Sequence, residues 1–335
     1  MVAMIPLSVL DLAPVAEGRT PGDALRNAAD LAAHAERLGY RRYWMAEHHS
    51  MPGIASAATS VALCHVGNAT STIRIGAGGV MLPNHSPLQV AEQFGTLEAL
   101  FPGRVDLGLG RAPGTDQAAA RAMRRNLTVD EFPADVQELA HYLGDPEPDQ
   151  RVRAIPGEGS HIPLWILGSS LYGAQLAAAL GLPYAFASHF APQQMMEAIH
   201  VYRTNFRPSD QLEAPYVMLG FNVFAAETDE EAQLLSTSLQ QAFYALRTGN
   251  PGKLKPPVEG FIDQLPLHFR LSLEDIFRCS AIGSPDTVRA QTQAFIEGTG
   301  ADELMVTSQI FDHDARKRSF EILAESVGLR ALQPA

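Results

Sequence analysis

Apolar positions along this chain keep two alternating rhythms. Short runs rich in Val, Ile and Leu have the near-continuous hydrophobicity of strands buried on both faces. Between them, Ala- and Leu-rich segments repeat their apolar residues at helical spacing. The first run is "IPLSVLDLAP". In the helix after it, Thr20 is the N-cap, Pro21 takes N1 and Asp23 takes N3. Leu25, Ala28, Ala32, Ala35 and Leu38 share one face, and Gly39 is the stop. Strands "RYWMAEH", "IRIGAGGVML", "RVDLGLG", "PLWILGSS", "YAFASHF", "YVMLGFNVFAA" and "ELMVTS" follow, each with a helical segment behind it. The helix after "IRIGAGGVML" opens on Ser86-Pro87-Leu88-Gln89, a capping box, and stops at Pro102-Gly103. The next helical stretch runs to about Leu143. A Pro- and Gly-rich segment, 249–272, comes before a further helix that starts at Ser284-Pro285.

Eight strand-helix units in 335 residues predict an α/β chain folded as a (β/α)8 TIM barrel. The expected organisation is a single domain over 1–335, with 249–272 as an irregular insertion. A doubly wound parallel sheet shows the same alternation and stays open as the alternative.

Charge and cysteine usage narrow the classes. The chain has 25 Lys and Arg against 37 Asp and Glu, a net charge of −12. The acids are scattered, and no basic stripe of a nucleic-acid binder is present. Cys64 and Cys279 stand far apart, without a CxxC, as in a reducing compartment. No run approaches the ~20 apolar residues of a membrane helix, and the start lacks a signal pattern. The expectation is a soluble cytoplasmic protein with neither nucleic acid nor membrane as partner.

In a barrel, chemistry sits where strands end. Strand 2 runs into Glu47, His48 and His49. Adjacent histidines at a strand end point to opposite sides, unlike the i, i+4 pair of a zinc helix. With His85, His189 and Asp106 dispersed in sequence, no spacing supports a metal. The residues could equally be loop side chains satisfied by backbone groups. Strand 3 carries Gly78 and Gly79, where a flat ligand or another backbone can approach; a bulge would use the same residues. Strand 4 ends before Arg111, whose planar fork suits phosphate or loop carbonyls. Strand 5 ends in Gly168, Ser169 and Ser170 at a helix start, and Gly173 lets the first turn come close. That is an anion cradle, or an ordinary Ser cap. Taken together these pieces describe one ligand: a phosphate at strands 4 and 5, and a flat body over the strand 3 glycines, near His48.

The blocks "YWMAEHHSMPG", "AGGVMLPNHSPLQVAEQFGTLEALFPGRVDLGLGRAPG" and "LGSSLYGAQLAAALGLPYAFASHF" resemble the bacterial luciferase-like flavin-dependent monooxygenases. The likeness is to an uncharacterised subgroup related to the alkanal monooxygenase α chain, over about residues 4 to 325. The resemblance implies a monooxygenase that takes reduced FMN from a separate flavin reductase and reacts it with O2 through a C4a-hydroperoxide. The substrate is a small organic molecule, and the family forms dimers. It implies that His48 is the catalytic imidazole, with Glu47 to orient it, and that Gly78-Gly79 is a cis peptide under the flavin ring. It implies that Arg111, Ser169 and Ser170 surround the FMN phosphate. Trp44, Met45, Met81, Leu82 and Phe190 would keep the site dry. Leu109 stands where luciferase has a reactive cysteine, which argues against light emission from long aldehydes. A deazaflavin-dependent hydride-transfer enzyme and a non-catalytic flavin-binding subunit are the alternatives on the same fold.

Overall fold

The computed structural model describes residues 5–112, 117–123 and 131–330. Its strands are β1 (Leu7–Asp11), β2 (Arg42–Met45), β3 (Arg74–Met81), β4 (Val105–Gly110), β5 (Leu164–Gly168), β6 (Tyr184–Phe186), β7 (Val217–Ala225), β8 (Ser280–Gly283) and β9 (Glu303–Thr307). The helices are α1 (Pro21–Leu38), α2 (Thr59–Asn68), α3 (Pro87–Leu100), α4 (Gln117–Ala122), α5 (Phe132–Leu143), α6 (Leu171–Leu180), α7 (Met195–Asn205), α8 (Asp229–Arg247), α9 (Leu267–Ile276), α10 (Pro285–Thr299) and α11 (His313–Val327). All strand pairs are parallel. β1 to β7 and β9 close on themselves, because β9 pairs with both β1 and β7 and β6 pairs with β7. The fold is an eight-stranded TIM barrel; the doubly wound alternative is excluded by that closure.

The eight strands read from sequence are the eight staves. β8 escaped that reading. It is four residues, "SAIG", alternately half-buried and buried, too short for a period to register. It lies outside the ring, on the second half of β7. The segment 249–272 is also more ordered than expected. Ile262–Gln264 forms a 3-10 turn, and residues 267 to 272 already belong to α9. Ahead of them, Leu254 is pinned to the loop after β1 by backbone bonds to Val15 and Glu17 of 2.9 and 2.8 Å. The predicted helical stretch up to Leu143 falls partly outside the described residues, at 113–116 and 124–130.

Capping follows the sequence at α1. The Thr20 side chain accepts from the Asp23 amide, Asp23 answers the Thr20 amide, and Gly39 ends the helix at φ 91°. The expected box at α3 does not form: Ser86 makes no side-chain cap bond, and both it and Gln89 face solvent. Pro87 at N1 is as expected.

Alternation along each strand divides the core. Residues such as Leu7, Tyr43, Ile75, Leu107, Ile166 and Leu219 pack outward against the helices. Leu10, Trp44, Trp165, Met218 and Met305 fill the barrel interior. Below them lies an ionic plug at the strand starts. Arg42 bridges Asp106 at 2.6 Å and Glu303 at 3.0 Å, and Arg74 reaches Asp106 at 2.7 Å. The Trp165 ring covers the Arg42 guanidinium at 4.8 Å. The bottom is sealed, and the barrel is open at the C-terminal rim.

Candidate functional site

A cavity of about 610 Å³ opens at that rim. His48, Gly78, Gly79, Arg111, Gly168, Ser169, Ser170 and Gly173 all line it. They come from the ends of β2, β3, β4 and β5 and the first turn of α6, so the barrel gathers around one hollow what the sequence spreads over 126 positions from 48 to 173.

The floor is set by glycines. The Gly78-Gly79 peptide is cis, as the resemblance implies. A Cβ on Gly79 would lie 2.7 Å from the Gly108 carbonyl oxygen, and one on Gly78 2.9 Å from the Trp44 ring. Neither position tolerates a side chain, so the floor is bare backbone resting on the interior core. The register of β3 against β4 shifts between Gly78 and Val80, so the bulge reading of these glycines is also met.

At one end stands α6. Ser170 is its N-cap and makes no side-chain cap bond, which leaves the hydroxyl for other partners. The amides of a first turn and the hydroxyls of Ser169 and Ser170 make a polar wall suited to an anion. The Arg111 guanidinium lies over the Tyr172 ring at 4.2 Å, on the same wall.

Glu47 does not line the cavity. It is 2% exposed, and its oxygens accept from His49 Nε2 at 2.5 Å, His85 Nε2 at 2.8 Å and the Met81 amide at 3.0 Å. Burial alone would raise its pKa. Hydrogen bonds and charge from His85, then His49 and the Met81 amide, outweigh that and hold the carboxyl below its ordinary value. Strand alternation explains the arrangement: 47 and 49 share a side, and 48 faces away into the cavity. Through these bonds Glu47 clamps the loop after β2 to the end of β3. Glu47, His49 and His85 offer donor atoms within 4.8 Å of one another. The sequence reading left His85 dispersed; the fold brings it in. Yet 2.5 Å between a ring nitrogen and a carboxylate oxygen is a hydrogen bond. Two ligands sharing one ion at about 2.0–2.2 Å each sit farther apart than that. Asp106, named beside them, lies in the ionic plug at the other end of the barrel.

His189 lines the cavity too. Burial first, and the charge of His48 second, lower its pKa to about 4, so its imidazole is neutral at physiological pH. Of the five apolar residues expected to keep the site dry, Met81 and Phe190 line the cavity. Trp44 lies beneath the floor in the interior core, and Met45 and Leu82 belong to the outer core. The sequence reading missed the opposite wall: Leu239, Phe243 and Leu246 of α8, with Pro251 and Leu254. The helical stripe was visible, but not what it faces.

Comparison with known proteins places the chain in a family. The model of the luciferase-like monooxygenase family matches residues 5–303. A luciferase-like monooxygenase of Escherichia coli (strain K12) is 51% identical over 320 residues, covering 95% of this chain and 96% of that protein. The N-acetyl-S-alkylcysteine monooxygenase of Bacillus subtilis (strain 168) is 37% identical over 254 residues, 73% of this chain and 75% of that one. The crystal structure of apo-MsnO8 superposes with a TM-score of 0.86 at 36% identity, covering 97% of this chain and 99% of the other. This chain is a flavin-dependent oxidoreductase of the monooxygenase type. It belongs to the luciferase-like monooxygenase family.

Proposed function

We propose that this enzyme is an FMN-dependent monooxygenase that takes reduced FMN from a separate flavin reductase and uses it with O2 on a small organic substrate. The observation that carries the reading is the convergence of His48, the Gly78-Gly79 floor and the Ser169-Ser170-Arg111 wall on one cavity. The residues fit the cofactor. The bare floor accepts a flat ring, and hydroxyls, helix amides and a guanidinium accept a phosphate. Bound reduced flavin supplies the electrons that activate O2. Ser169, Ser170 and Arg111 hold the phosphate end, and the glycine floor sets the height of the ring. Met81 and Phe190 limit water at the reacting edge. His48, the cavity-facing imidazole of the strand 2 end, moves a proton at the oxygen or substrate atom that reacts.

The test is oxygen uptake with a flavin reductase, NADH and a substrate panel, on parent and His48→Ala. Substrate-dependent oxygenation should fall by about 10²–10⁴ in the variant, the usual weight of a positioned acid or base. Its FMN affinity should stay within a few-fold. Equal turnover rejects the role of His48. Tight binding of a deazaflavin with no binding of FMN rejects the cofactor. We also propose a cytoplasmic homodimer through α2 and α3, whose Val61 and Leu100 are 70% and 57% exposed; sedimentation as a monomer would sink it.

A further inference from the structure

Resting on the flavin reading, we infer that the distal half of this cavity selects an uncharged, mainly apolar substrate that accepts one hydrogen bond from His189. Charge gives the first argument. Among the described residues, no Asp, Glu or Lys lines the cavity, and the permanent cation that does, Arg111, stands at the α6 end. The far half is bounded by Met51, Ile54, Leu239, Phe243, Leu246 and Leu254. Phe190 leans on Phe243 with ring centroids 5.9 Å apart. A carboxylate or ammonium placed there would lose its water and meet no opposite charge from the described lining residues.

The second argument is the seat of His189. Its ring packs flush on β7: a Cβ on Gly220 would lie 2.0 Å from Nδ1, so only glycine leaves room for it. Asn222 Nδ2 donates to the His189 carbonyl at 2.9 Å, which fixes the backbone. Nδ1 is buried and has no hydrogen-bond partner among the described residues. A neutral imidazole carries one proton. An N–H aimed at the Gly220 backbone would have no acceptor, whereas a lone pair there is tolerated better. The proton therefore sits on Nε2, the nitrogen left to face the cavity, and Nε2 donates to whatever enters. Depressed basicity keeps the ring neutral, in agreement with that assignment.

The substrate class can be tested on the flavin-free protein. The uncharged fluorophore N-phenyl-1-naphthylamine is the probe, displaced by 2-nonanone or by nonanoate at pH 7.5. The ketone should displace it at a concentration at least tenfold lower than the carboxylate. Phe243→Asp should weaken probe binding more than tenfold. His189→Phe should raise the ketone's dissociation constant at least fivefold and leave the probe's within twofold, with His189→Gln restoring part of the loss. Circular dichroism of each variant separates these effects from misfolding. Equal competition by nonanoate, no probe binding, or ketone affinity unmoved by His189→Phe overturns the inference. FMN titration of the same samples is read separately: its failure rejects the cofactor reading and leaves the probe result standing.

Discussion

Glu47 and His189 are both buried ionisable groups, and the protein treats them oppositely. Glu47 is kept charged by two imidazoles and an amide. It is the one fully buried carboxylate among the described residues without an arginine, since Asp11, Asp106 and Glu303 pair with Arg316 or Arg42. His189 is kept neutral, because burial penalises its cation and His48 adds to that. The second case has a readable consequence. Unfolded, the imidazole takes up its proton near pH 6.5; folded, it resists down to about 4. Between those values the unfolded state binds more protons, so stability falls as pH falls. The full cost is about 3 kcal/mol, developed as pH drops from 6.5 to 4. In His189→Gln, which has no such group, the decline of urea stability over that window should be shallower by about this amount. Parallel pH profiles for parent and variant would show that His189 titrates normally.

At the scale of elements, the β3-β4 pair is a tight seam beside the site. A Cβ on Gly108 would lie 2.3 Å from the Ala77 carbonyl oxygen and 2.6 Å from the Leu167 side chain. Gly108→Ala must push β3 from β4, and overpacking of this kind costs about 1–3 kcal/mol. Because Gly79 rests on the Gly108 carbonyl, the cavity floor tilts as well. Chemical denaturation should show the loss of stability, and FMN affinity should fall with it; a variant as stable as the parent would mean the seam is looser than drawn. Gly78 and Gly79 of β3 were legible in sequence as a place of close approach or of a bulge, and both features are present. So were the staves and α1, whose caps and periodicity are local. What was not legible depended on distant partners. Trp44 and Met45 look alike along a strand, yet one faces the barrel interior and the other the helices. His85 meets Glu47 only once β2 and β3 lie side by side. The stripe of α8 showed a buried face, but not that the face closes a cavity.

For the molecule as a whole, the barrel acts as a sealed cup. Arg42, Asp106, Arg74 and Glu303 close the bottom, the interior aromatics fill the middle, and the large cavity opens at the rim. A ligand held by loops from several staves ties them together, so binding should raise the global melting temperature. A group bound only to the folded state adds about 2.7 kcal/mol at a hundredfold excess over its dissociation constant. Unfolding entropy scales with chain length, so for 335 residues each kcal/mol moves the midpoint by about 1.4 °C. FMN at that excess should therefore raise the melting temperature by about 4 °C. Riboflavin has the same ring without the phosphate, and at the same concentration it should give only a small part of that shift. Arg111→Ala removes a guanidinium from the phosphate end. The loss is about 1–3 kcal/mol, on the scale of a charge-assisted hydrogen bond, and at the same FMN concentration about a third to nine-tenths of the FMN shift should go with it, while the riboflavin response stays unchanged. Equal shifts for FMN and riboflavin in the parent would put the phosphate somewhere other than the α6 wall. The floor glycines and His48 would then have to be reached by a ligand entering from the α8 side.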